Sequence, residues 1–163
     1  YIKPIKQYLL EMRFKPMPKY HDGALLSNGA KNSPVGKMFI QPQVRLESGE
    51  KVLLDDVIAN DFAIIAWGVD PQWGISDATM QIWKKLGVKF IQVIPEVQLG
   101  NKNRKQFEGV ITVGDIGTDI RSWFGKTTES VVILRPDRFV AALAIPQTLD
   151  HISQQLFKKL HVK

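Results

Sequence analysis

Phe62-Ala63-Ile64-Ile65-Ala66-Trp67 is an unbroken apolar run of strand length. Alternating apolar and polar residues mark a strand with one wet face, whereas a run without polar residues marks one covered on both faces. Helices on both sides of a sheet supply that cover, so the run predicts the central strand of a parallel or mixed sheet. The residues that follow agree. Gly68 to Gly74 reads as a loop containing Pro71. Ser76 predicts a helix N-cap, with Asp77 just inside it. Met80, Trp83 and Leu86 fall at helical spacing, and Gly87 is a natural stop. Val88 to Ile94 predicts a second strand, ended by Pro95. Strand, helix and strand over about 30 residues form a crossover unit.

The flanking segments extend this pattern. Gln43–Leu46 and Lys51–Leu54 predict two short strands around the turn Glu47-Ser48-Gly49-Glu50. Asp55 to Asn60 suits a short helix with acidic residues in its first turn. Gln98 to Gly109 is polar and reads as loop, and Val110 to Val113 as a short strand. Gly114-Asp115-Ile116-Gly117 reads as a turn, and Asp119 to Phe124 as a turn of helix. Val131–Leu134 and Phe139–Ala144 predict strands joined by Arg135-Pro136-Asp137-Arg138. Leu149, Ile152, Leu156 and Leu160 stripe a last amphipathic helix, with Thr148 as its expected cap. The summed order predicts an α/β, thioredoxin-like fold: a central mixed sheet flanked by helices.

Residues 1–37 differ from the rest. They hold four of the nine prolines. Ile5 to Phe14 predicts a short helix with Ile5, Leu9 and Met12 on one face, stopped by Pro16 and Pro18. Residues 19–37 are polar and glycine-rich, and read as an extended arm that needs a surface to lie on. The expected division is an arm or linker over 1–37 and a thioredoxin-like domain over 38–163. The formal charge of +6 is concentrated in the arm, with seven basic against two acidic residues, while the body holds 15 against 14. A nearly neutral body argues against nucleic-acid binding. The absence of cysteine excludes disulfides, thiolate metal sites and thiol chemistry. No apolar run approaches the roughly 20 residues of a membrane helix. No signal-peptide stretch follows Tyr1-Ile2-Lys3-Pro4. The expectation is a cytoplasmic domain, and a first residue other than Met suggests a piece of a longer chain.

The short motifs carry structural readings. Gly125-Lys126-Thr127 resembles the end of a phosphate loop, but Ile120 stands where that loop needs glycine. The Gly-x-Gly-x-x-Gly of dinucleotide binding does not occur. Gly74-Ile75-Ser76-Asp77-Ala78 lacks the last glycine of a nucleophile elbow, and Ser76 is explained as a cap. His21, His151 and His161 match no metal-ligand spacing. Asp55, Asp56 and Asp61 form a carboxylate group that helix-dipole stabilisation accounts for. Lys102, Arg104 and Lys105 read as a solvated cluster in a loop. Trp67 and Trp73 are the one candidate pocket for an aromatic ligand, with core packing as the alternative. No catalytic, cofactor-binding or metal residue is assigned.

Two stretches resemble a known family. One is Tyr8 to Pro18 (YLLEMRFKPMP), continued by Ser33 to Pro42 (SPVGKMFIQP). The other is Val52-Leu53-Leu54-Asp55-Asp56 with Asp61-Phe62-Ala63 and Trp67-Gly68. Together they are similar to the C-terminal portion of FAD-dependent aromatic-ring hydroxylases of the 3-(3-hydroxyphenyl)propionate hydroxylase type. The resemblance implies a parent enzyme that uses FAD and NAD(P)H to insert oxygen into a phenolic ring in aromatic catabolism. It places the flavin and substrate sites in an N-terminal region of the same chain, beyond these residues. It makes this portion a thioredoxin-like domain without catalysis, with a structural or subunit-contact role and a homo-oligomer as a possible assembly. The sequence departs from thioredoxin chemistry in two places. The loop after the central strand reads Trp67-Gly68-Val69-Asp70-Pro71 without cysteine, and Thr128-Glu129-Ser130 precede Val131 without proline. The alternative is a stand-alone, cysteine-free binding module for an aromatic ligand; nucleic-acid binding through the basic arm ranks last.

Overall fold

Strands and helices follow the apolar runs closely over residues 18–20 and 23–162, the residues that the computed structural model describes. Strands β1 (Gln43–Leu46) and β2 (Lys51–Leu53) form the first hairpin. Helix α1 (Leu54–Ile58) leads to the central strand β3 (Ala63–Trp67). Helix α2 (Asp77–Lys85) and strand β4 (Lys89–Pro95) complete the crossover. Strand β5 (Val110–Asp115) precedes helix α3 (Asp119–Phe124). Strands β6 (Val131–Leu134) and β7 (Val140–Ala144) precede helix α4 (Pro146–Leu160). The predicted helix over 5–14 and His21 lie outside the described residues.

One seven-stranded sheet runs in the order β2-β1-β5-β4-β3-β6-β7. Strands β3, β4 and β5 are parallel, while β6 and β7 at one side and β1 and β2 at the other run antiparallel to their neighbours. This is the mixed, helix-flanked thioredoxin-like sheet the sequence predicts. The central run is covered on both faces. Ile65, Ile91 and Val113 pack with Leu54 and Ile58 of α1 and with Ile120 and Phe124 of α3. Ile64, Ala66 and Phe90 pack with Trp83 of α2 and with Leu149, Leu156 and Phe157 of α4. Period-two alternation thus delivers every second residue of β3 to one of two apolar clusters.

Several boundaries differ from expectation, three of them with a physical consequence. Gly114 and Asp115 continue β5 rather than forming a turn. A Cβ on Gly114 would lie 3.0 Å from Glu96 Cα, so the missing side chain lets the segment after β4 cross closely. Asp115 is buried, and its carboxylate accepts from Ile120 N at 3.3 Å and Arg121 N at 2.9 Å. Those are orphan donors at the start of α3, so a charge inside the sheet end caps a helix. Helix α4 begins at Pro146, so Thr148 is not its N-cap. Thr148 sits within the first turn, where its hydroxyl accepts from Ile145 N at 3.3 Å. Proline is favoured at the first helical position because its absent N–H would have no partner there. Helix α1 begins at Leu54, one residue before the acidic pair.

The arm finds its surface within the chain. Leu26 N donates to Ala141 O at 2.8 Å, Gly36 N to Val140 O at 2.9 Å, and Val140 N to Lys37 O at 2.9 Å. These bonds lie along the outer edge of β7, which would otherwise present unpaired backbone groups. Leu25 and Val35 are buried in the same cluster as Phe39. Packing therefore runs across the compositional change at residues 37 and 38.

Candidate functional site

A strand that ends at the C-terminal edge of parallel strands and turns into a helix is where α/β sheets place their ligands and chemistry. Here that turn is the β3–α2 loop, residues 68–76. Asp70 stiffens it: one carboxylate oxygen accepts from Gln72 N at 2.9 Å, and the Asp70 carbonyl accepts from Trp73 N at 3.2 Å. Gln72 Nε2 donates to Glu108 O at 3.1 Å and ties the loop to the β4–β5 crossover. Between these two loops lies an open concavity of about 350 Å³, lined by Gly68, Val69, Asp70, Trp73, Lys105 and Phe107. Trp73 is 58% exposed. Lys105 Nζ sits 5.2 Å from the centre of the Phe107 ring, within cation–π range.

Trp73 lines this concavity and Trp67 does not. Trp67 is half-buried and packs against the cluster on the α1 and α3 side. The aromatic partner of Trp73 in the concavity is Phe107. Residues 98–109 read as polar loop in sequence, and the signal within them is Phe107, an aromatic isolated in a polar stretch. The basic cluster in that crossover also divides. Arg104 pairs with Glu47 and donates to Thr112 Oγ1 at 3.2 Å, while Lys105 faces the concavity.

Gly74 closes the loop against α4. Its φ of +85° is a conformation side chains resist, and a Cβ there would collide with the Pro146 carbonyl oxygen. Gly74→Ala is expected to destabilise the chain by about 2 kcal/mol or more, since left-handed strain alone costs about 1–2 kcal/mol. Urea denaturation of the variant checks this; an unchanged midpoint would remove the close approach from the account.

Ser76 is committed as the cap of α2. Its Oγ accepts from Thr79 N at 3.4 Å and donates to Asp150 Oδ1 at 2.8 Å, which also accepts from Ser76 N at 2.9 Å. Gln154 Nε2 donates to Asp150 Oδ2 at 2.8 Å. Burial pushes the Asp150 carboxyl up, but the hydrogen bonds from Ser76 N, Thr79, Ser76 Oγ and Gln154 outweigh it. They hold the pKa below the ordinary value of 3.8. A depressed carboxylate contributes stability that is present above its unfolded pKa and lost as pH falls through the folded one. The clasp between α2 and α4 is therefore expected to hold at neutral pH and weaken below about pH 3.8. Asp150→Asn should flatten that part of the stability–pH curve, which acid titration followed by circular dichroism reads directly.

The remaining candidates are separate. Asp55 accepts from Arg138 Nε at 2.9 Å and Gln41 Nε2 at 2.7 Å, and Asp61 lies 3.6 Å from Lys89. Asp56 is exposed in the first turn of α1. His151 and His161 are exposed on α4 and at its end. Among the described residues no group of three His, Cys, Asp or Glu could hold a metal. Gly125 ends α3, its N–H bonded to Arg121 O at 2.9 Å. The turn into α2 does not fit a dinucleotide. A pyrophosphate needs a helix N-terminus clear of negative charge, and here the Asp150 carboxylate accepts from the cap residue Ser76, whose Oγ in turn accepts from Thr79 N.

The sheet order, the helix-flanked β3 and a thiol-free β3–α2 turn define a thioredoxin-like domain without thioredoxin's reactive groups. Residues 36–159 match the model of the HcaD C-terminal domain family. The chain belongs to that family. It is 58% identical over 161 residues to a 3-(3-hydroxy-phenyl)propionate/3-hydroxycinnamic acid hydroxylase of Klebsiella pneumoniae subsp. pneumoniae, covering 98% of this chain and 29% of the relative. It is 57% identical over 157 residues to the protein of that name from Escherichia coli K12, covering 96% and 28%. The chain thus spans less than a third of the length of these curated relatives. Among solved structures, the C-terminal domain of an uncharacterized Bacteroides fragilis protein aligns with a TM-score of 0.59 at 17% identity, covering 78% of this chain and 99% of that one. The flavin-dependent monooxygenase PieE, in complex with FAD and substrate, aligns at 0.58 with 15% identity, covering 90% and 26%. These two likenesses concern the fold.

Proposed function

We propose that this chain is the C-terminal portion of an FAD-dependent hydroxylase that acts on 3-(3-hydroxyphenyl)propionate or a similar phenol with NAD(P)H. Within that enzyme its role is structural and non-catalytic: it packs on the N-terminal FAD- and substrate-binding region and holds subunits together. The observation that carries this reading is the identity of 57–58% along nearly the whole chain with hydroxylases more than three times as long. The chemistry of the site supports it. Ser76, Asp150, Asp55 and Arg104 are each engaged in holding one element to another, and a carboxylate, Asp150, stands on the cap residue of α2 where a phosphate would have to approach. Residues 1–37 form the seam in this reading, and residues 38–163 the body that the seam joins to the preceding region. Among the described residues no helix is long and apolar enough to cross a membrane, in keeping with a cytoplasmic enzyme.

The test is the reading frame upstream of the Tyr1 codon. This reading expects it to continue into a strand–turn–helix with Gly-x-Gly-x-x-Gly. A start codon immediately before Tyr1 would contradict it.

A further inference from the structure

We propose that the concavity between Trp73 and Phe107 binds a small aromatic monocarboxylate, an aryl ring carrying one carboxylate on a short side chain. The site is lined by residues of this chain alone. Its volume of about 350 Å³ lies within the range of small-molecule sites. Trp73 lies 58% exposed on a loop held by Asp70, by the Gln72–Glu108 bond and by the close approach of Gly74 to Pro146. A stiff loop that presents an indole to water is pre-organised, so a ring that covers it loses little freedom of the protein. Phe107 supplies the second aromatic wall, and Gly68 and Val69 add uncharged lining.

Charge selects the ligand. Lys105 places an ammonium over Phe107, and none of the ion pairs among the described residues uses it. A ring seated between Trp73 and Phe107 with a carboxylate at Lys105 satisfies both features. Asp70 in the same lining repels a second negative charge, so the site takes monoanions in preference to dianions.

Titration of the ¹⁵N-labelled chain with phenylacetate, phenylacetamide, phthalate and hexanoate tests this by amide shifts. The expected result is saturable shifts at residues 68–73 and 105–107 with phenylacetate, with a dissociation constant on the order of 1 mM for so small a ligand. The neutral amide binds about fivefold more weakly, the scale of one solvent-exposed charge pair at contact. Phthalate and hexanoate bind more weakly still. Lys105→Gln, a change at a surface side chain, brings acid and amide to the same affinity. Trp73→Ala abolishes the shifts while the spectrum stays dispersed. The proposal is overturned by shifts that do not saturate, by shifts centred elsewhere, or by an acid preference that survives Lys105→Gln.

Discussion

Replacing Trp83 by alanine will lower the melting temperature of this chain by about 10 °C or more. Trp83 is fully buried. Its ring meets Phe157 edge-on at 4.8 Å and Phe62 at 5.8 Å, and its Nε1 donates to the buried Ser153 Oγ at 3.0 Å. The indole therefore joins α2, α4 and the chain entering β3. Removing it costs about 3–5 kcal/mol in lost transfer and cavity. The Ser153 hydroxyl then loses its partner, which adds about 1–3 kcal/mol. A domain of this size holds roughly 5–15 kcal/mol in all, so the variant sits near the limit of folding. Trp83→Phe keeps two ring contacts and loses the hydrogen bond, and should fall well short of the alanine variant. Thermal unfolding by far-ultraviolet circular dichroism ranks the two. Equal and small effects would mean that the α2–α4 contact does not hold this face together.

Removing residues 1–37 has the second large effect. It takes Leu25 and Val35 out of the core cluster and uncovers the edge of β7 at Val140 and Ala141. Burial of two aliphatic side chains is worth roughly 3–6 kcal/mol. An uncovered edge next to apolar residues is also a template for pairing with another chain. The truncated form is expected to melt lower and to elute at a mass that grows with concentration. Leu25→Asp in the full chain should reproduce the loss of stability, because it places a charge in the same cluster. A truncated form with an unchanged melting point and a monomer mass would show that the arm contributes nothing to this edge.

Local pattern carried most of the fold into view. The run at 62–67, the cap at Ser76 and the stripe on α4 are read from neighbours a few residues apart, and the structure places them as expected. What was hidden depends on partners far along the chain. Asp115 is the exception: its partners Ile120 and Arg121 lie only five and six positions on, but the Gly114-Asp115 pair reads as a turn. Asp150 gave no sign of reaching Ser76, 74 positions away. The arm was legible as a segment in need of a surface, but the surface, β7, lies more than a hundred residues later. The candidate pocket was half legible. Trp73 stood out as an aromatic in a loop, whereas its partner Phe107 comes from a separate crossover, and Trp67, the nearer aromatic, turns to the core instead.

The most direct test of the proposed non-catalytic role is steady-state hydroxylation by the proposed full-length enzyme carrying Asp70→Asn, Lys105→Gln or Asp150→Asn, with flavin content and subunit mass measured on the same samples. These side chains line the concavity or clasp the helix beside it, where the fold would place chemistry. Loss of a group that transfers protons in the reaction costs about 100-fold or more. A non-catalytic role predicts that each variant keeps its full FAD complement and a kcat within about twofold of the unsubstituted enzyme, well inside that margin. A fall of about 100-fold in any of them, with FAD and assembly intact, would place chemistry in this domain and contradict it.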